Sequence, residues 1–125
     1  MKEFMFFIRK QVDSEVALSP EKHQAFLKGC ETYIGKLKSE GKLKSAQPIE
    51  RQEKIIWGTK RVFRESSFKE TNEVIGGYYH ILAKDLDEAT AIAKANPEFG
   101  YHTNTRIEVR PIKMKEESTG FVYPK

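Results

Sequence analysis

Apolar and polar positions recur with two periods along this chain, and the switches between them mark its elements. Residues 3–9, EFMFFIR, are a short aromatic run with strand character. After a polar stretch, KQVDSEVAL, the period lengthens: His23, Phe26, Leu27, Cys30, Ile34 and Leu37 recur at spacings of three and four, which predicts an amphipathic helix. Ser19 suits its N-cap, Pro20 its first turn, Glu21 the positive end of its dipole, and Gly41 its stop. KLKSAQPI, 42–49, leaves that helix as a strand. RQEKIIW and KRVFRE then predict a hairpin around Gly58-Thr59. SSFKETNE, 66–73, is a polar loop, and VIGGYYHILA, 74–83, is the longest strand. Asp85 followed by Glu88 predicts a capped second helix with Ala89, Ile92 and Ala93 inward, stopped by Asn96-Pro97. TRIEVRPI, 105–112, alternates as the last strand, and 113–125 remain as a C-terminal tail.

This order is a βαββαβ plan with an extra β-hairpin, an α+β domain over 1–112 with two helices on one face of an antiparallel sheet. Alternation splits each strand into two faces. Phe4, Phe6, Ile8, Ile75, Tyr79, Ile81, Ala83, Ile107, Val109 and Pro111 are expected under the helices. Met5, Phe7, Arg9, Val74, Gly76, Tyr78, His80, Leu82, Arg106, Glu108, Arg110 and Ile112 are expected on the open face. That second set is too apolar for water and too charged for an ordinary core. A homodimer burying it around a shared cavity satisfies both conditions.

Composition narrows the class. The 125 residues suffice for one domain, and 38% hydrophobic with 32% charged suits a compact soluble chain. No apolar run reaches the roughly 20 residues of a membrane span. MKEFMFFIRK reads as a strand rather than a secretion signal, so the expected location is cytoplasmic. The single cysteine, Cys30, excludes an internal disulfide and reads as a packed thiol. Three histidines without ligand spacing do not point to a metal, and no phosphate loop, dinucleotide fingerprint or nucleophile elbow is present. No cofactor is expected. The net charge of +4 raises nucleic acid as a partner, but the lysines are scattered among glutamates. An RNA-recognition module shares the plan. Its signature strand, however, needs a small residue where Tyr79 stands and a second aromatic where His80 stands. Nucleic acid is therefore the weakest reading.

SPEKHQAF opening the first helix, EVIGGYYHI followed by DLDEATAIAKANP, and the closing IEVRPI resemble, in this order, the YCII-related family, also called the DGPF-domain family, over residues 2–112. The resemblance implies a ferredoxin-like fold that pairs its sheets face to face as a dimeric α+β barrel. It also implies a histidine–carboxylate active site, with His23 in place of the helix histidine and Glu65 as the candidate acidic partner. The naming Asp-Gly-Pro-Phe motif falls on Glu65-Ser66-Ser67-Phe68, which keeps the carboxylate and the aromatic but loses the Gly-Pro turn.

The expected activity is acid–base chemistry on a small molecule, with His23 and Glu65 catalytic. Arg9, Phe68, Tyr78, His80, Glu108 and Arg110 are the substrate-binding candidates. An imidazole titrates near neutrality, and an adjacent carboxylate orients it and stabilises its charged form. Arg110 beside Glu108 suits a carboxylate-bearing ligand. The alternative is a non-catalytic ligand-binding or interaction dimer in which the same residues pack and pair.

Overall fold

The computed structural model describes residues 1–11, 18–66 and 73–124. Its elements run β1 (Lys2–Gln11), α1 (Pro20–Ser39), β2 (Leu43–Pro48), β3 (Ile55–Thr59), β4 (Val62–Ser66), β5 (Glu73–Ala83), α2 (Leu86–Lys94), α3 (Glu98–Tyr101) and β6 (Arg106–Pro111). The main sheet has the order β2-β5-β1-β6, with every neighbouring pair antiparallel, and β3 pairs only with β4. With α1 and α2 packed against this sheet, the arrangement is the expected ferredoxin-like α+β fold. Among the described residues, no helix is long and apolar enough to cross a membrane.

The caps form as the sequence requires. Ser19 Oγ accepts from Lys22 N at 3.3 Å, and Asp85 Oδ1 accepts from Glu88 N at 2.9 Å. Glu88 answers through Oε1, which accepts from Lys84 N at 3.2 Å. Asn96 ends the second helix as expected, but its Oδ1 accepts from Glu98 N and so starts a further turn, α3, that the Asn-Pro pair had concealed.

The core lies between helices and sheet. Phe4, Phe6, Ile8, Ile81 and Ala83 are at most 2% exposed and meet Leu37, Tyr79, Ala89 and Ala93. The inward stripe of α1 runs through Phe26, Tyr33 and Leu37, and Leu27 is 52% exposed. At about 100° per residue, Tyr33 and Leu37 fall within about 20° of Phe26 while Leu27 stands about 100° away. Tyr33 therefore takes the core position that the three-and-four spacing assigned to Leu27. Its hydroxyl donates to Ile92 O at 2.6 Å, which ties α1 to α2.

Two local departures have backbone causes. The register of β1 and β5 shifts between Ile8 and Arg9, with Ile8 opposite Gly77 and Arg9 opposite Ile75. Gly76 is the extra residue of this bulge, so Ile75 swings from its expected core side to the open face and is 38% exposed. In the hairpin the turn falls on Lys60-Arg61, whose φ values are 51° and 69°, rather than on Gly58-Thr59. Gly58 serves a close approach instead: a Cβ there would lie 1.9 Å from Val62 O.

Burial has a consequence at high pH. Desolvation raises the phenol of Tyr79 from 10.0 to about 12 and that of Tyr33 further. The folded state then keeps protons that the unfolded chain gives up. The stability these two phenols contribute is whole below about pH 10 and is lost as pH rises, through about 12 for Tyr79 and higher still for Tyr33. Absorbance at 295 nm is expected to show two of the five tyrosines ionising only as the protein unfolds. The urea midpoint should fall over the same interval, and less steeply in Tyr79→Phe.

Candidate functional site

The open face of the sheet carries two charged centres separated by an apolar middle. Met5, Phe7 and Tyr78 form that middle, with Phe7 directly opposite Tyr78. From Glu3 to Arg9 along β1 is about 20 Å at the usual rise of a strand, so a small ligand meets one centre or the other.

At the Arg9 end, Arg9 Nε donates to Glu108 Oε1 at 2.7 Å, and Arg9 Nη1 lies 3.6 Å from Glu73 Oε1. Arg106 Nε donates to Glu73 Oε2 at 2.9 Å, and Arg110 Nη1 stands 3.8 Å from Glu108 Oε2. Beside this network opens a cleft of about 1160 Å³ between the sheet face and the β3–β4 hairpin, walled by Met5, Phe7, Tyr78, Ile75, Ile55 and Trp57. The expected grouping of Arg9, Glu108 and Arg110 is thus present. Glu73, which the sequence did not single out, binds the network together.

At the other end, His80 Nε2 and Glu3 Oε1 are 2.7 Å apart. An ionised carboxylate only accepts, so Nε2 is the donor, and in the neutral ring the lone pair then rests on Nδ1. Lys44 Nζ donates to the same Glu3 oxygen at 3.3 Å. The Glu3 side chain is 8% exposed and that of His80 23%, so the pair is sheltered but reachable. Nδ1 of His80 has no hydrogen-bond partner among the described residues. Glu3 was missed because only cross-strand register brings it to His80: Glu3 pairs with Leu82, and His80 with Met5, one step along the same face.

The remaining candidates stand apart from these centres. His23 is exposed on α1, beyond the helix side of the sheet, and engages through its backbone N–H to Ser19 O at 2.8 Å. Glu65 lies in β4, where it accepts from Lys54 Nζ at 3.3 Å. No hydrogen bond or ion pair joins His23 to Glu65 among the described residues. Phe68 lies outside the described residues. His102 bonds Glu98 Oε2 through Nδ1 at 2.9 Å and stacks edge-on against Phe26. Cys30 is half-buried. Desolvation, reinforced by the Glu98 charge and opposed by Lys10, pushes its thiol up, which makes it a poor nucleophile.

Strand order, capped helices and the paired open-face residues all fall within residues 3–114, and the family model of the YCII-related domain matches that same span. The chain belongs to the YCII-related family. Among curated proteins, none matches it. Family membership covers both open-face centres and the whole four-stranded sheet. The C-terminal segment after Met114, which folds back over the Glu3–His80 end, lies beyond the matched residues.

Proposed function

We propose that this YCII-related protein is a cofactor-independent enzyme that moves a proton on a small molecule, with His80 as the general base and Glu3 as its orienting carboxylate. The observation that carries this reading is the 2.7 Å contact between Glu3 and His80 on the open face. Glu3 fixes the tautomer that exposes Nδ1 and stabilises the imidazolium once the proton has moved, and Lys44 balances the carboxylate. Proton abstraction at one substrate atom and return at another is an isomerisation, and it needs no metal or redox group. The test is a metabolite panel with dialysed protein and no added cofactor. A compound converted at a rate that scales with protein concentration supports the reading, and silence across carboxylic acids, enols and lactones counts against it.

A second reading, a non-catalytic interaction dimer, has its own support. A lone two-stranded hairpin is marginal in water, yet Ile56 and Phe63, on one face of β3 and β4, are 63% and 67% exposed. A second copy, paired face to face over the open sheet, would cover them. Trp57 is the single tryptophan and lines the adjoining cleft, so its emission reports this event. Association is expected to shift that emission to the blue between nanomolar and micromolar protein. Phe63→Lys should weaken the dimer by at least about tenfold, since burying an unpaired charge costs more than 1.4 kcal/mol. A wild-type chain that sediments as a monomer at all concentrations would rule out the self-pairing.

A further inference from the structure

The C-terminal segment encloses the Glu3–His80 pair in a way the proton-transfer reading does not require. After β6, Ile112 N donates to Glu3 O at 2.9 Å, and the chain then turns back on itself. A bridge joins Lys115 to Val122, Glu116 N donates to Phe121 O at 2.8 Å, and Tyr123 N donates to Met114 O at 2.9 Å. The result is a cavity of about 290 Å³ in which Glu3, Lys44 and His80 face Ile112, Met114 and Tyr123. That volume is at the small end of ligand sites, which run from about 300 to 1,000 Å³. One side is polar and the other is aliphatic and aromatic.

The lysines that line this cavity each have a carboxylate partner. Lys44 from β2 is matched by Glu3 from β1. Lys113 is matched by Glu116 at 2.7 Å within the C-terminal segment, whereas Arg110 from β6 stands 3.8 Å from Glu108, a carboxylate that Arg9 already holds at 2.6 Å. Tyr123, bonded to Glu116, has its phenol pushed up by that bond and stays neutral. With His80 neutral, Lys44 and Lys113 are balanced by Glu3 and Glu116 while Arg110 tips the surroundings positive, and a proton on His80 adds a further positive charge beside the cavity. Among the described residues that charge has no further carboxylate to meet.

We infer that the cavity beneath the C-terminal segment is a binding site for a small carboxylic acid with an apolar body, taken up together with a proton on His80. The carboxylate supplies the missing negative charge beside His80, and the apolar body lies against Ile112, Met114 and the Tyr123 ring. Linkage is reciprocal: if the anion favours the protonated ring, it raises the affinity of that ring for its proton by the same factor. The inference rests on the Glu3–His80 pairing used above but not on turnover.

The test is an NMR titration of the three histidine rings in the full chain, with benzoate, acetate and inorganic phosphate as probes at constant ionic strength. Benzoate is expected to perturb His80 alone, to raise its apparent pKa, and to bind about tenfold more tightly at pH 6 than at pH 8. That factor corresponds to about half a proton taken up per anion, averaged over the two pH units. Acetate should follow more weakly, for want of apolar contact, and phosphate should not select His80. In Glu3→Gln, Lys44 becomes the unmatched charge, so benzoate should bind with its pH dependence flattened. In His80→Gln, binding at pH 6 should fall to the level at pH 8. Equal response of His23, His80 and His102, or benzoate binding that ignores pH in the wild type, overturns the inference. Benzoate coupling without turnover of any metabolite overturns the enzyme reading alone, and turnover through His80 without benzoate coupling overturns the carboxylate inference alone.

Discussion

If His80 is the general base we propose, His80→Ala is expected to lower turnover by roughly 10²–10⁴-fold, the usual contribution of such a group, and to leave the fold in place. The fold survives because Glu3 keeps Lys44 as its ion-pair partner at 3.3 Å when the ring is removed. Glu3→Gln gives a smaller loss, since Nδ1 remains but the imidazolium is no longer stabilised. The decrease should appear in kcat more than in KM, because the carboxylate matters most once the proton has moved. On the same reading His23→Ala and Glu65→Ala should keep the wild-type rate, as His23 is exposed on α1 and Glu65 is engaged by Lys54 in the hairpin. Steady-state kinetics on the first compound the panel converts checks all four. If His23→Ala abolishes turnover and His80→Ala spares it, the active site is the histidine–carboxylate pair implied by the resemblance.

Phe6→Ala costs about 3–5 kcal/mol of folding stability, the range for deleting a buried aromatic side chain. Phe6 is 0% exposed, sits at the centre of the four-stranded sheet, and meets the Tyr79 ring at a centroid distance of 6.4 Å. Small domains hold only about 5–15 kcal/mol in total, so this single truncation removes a large share. Urea unfolding followed by circular dichroism should show a lower midpoint with an unchanged slope. Phe7→Ala, one residue along but on the open face, should cost clearly less, because Phe7 is already half-exposed in the single chain. Equal losses at the two positions would mean that the open face is as tightly packed as the core.

The contrast between Phe6 and Phe7 was legible in the sequence because alternation in a strand is a local property. Caps are local too, and Ser19 and Asp85 behave as their neighbours dictate. What alternation cannot supply is register. The bulge at Gly76 changes the phase of β5 below Gly77 and turns Ile75 outward, and nothing in the run VIGGYY fixes which glycine is extra. Pairing between distant strands is hidden for the same reason. Arg9 and Glu108 were placed on one face correctly, 99 residues apart. Glu3 and His80, 77 residues apart, needed the β1–β5 register to become a pair. A helix stripe read by spacing alone also admits neighbours about 100° apart, which is how Leu27 stood in for Tyr33.

The central claim is that chemistry happens at His80 held by Glu3. The most direct measurement is a crystal structure of the wild-type protein soaked with the first metabolite it converts, at the equilibrium of substrate and product. Ligand density is expected within about 2.6–3.2 Å of His80 Nδ1, the reach of a hydrogen bond that passes a proton. Ligand density against His23, with the cavity at His80 empty, would contradict it.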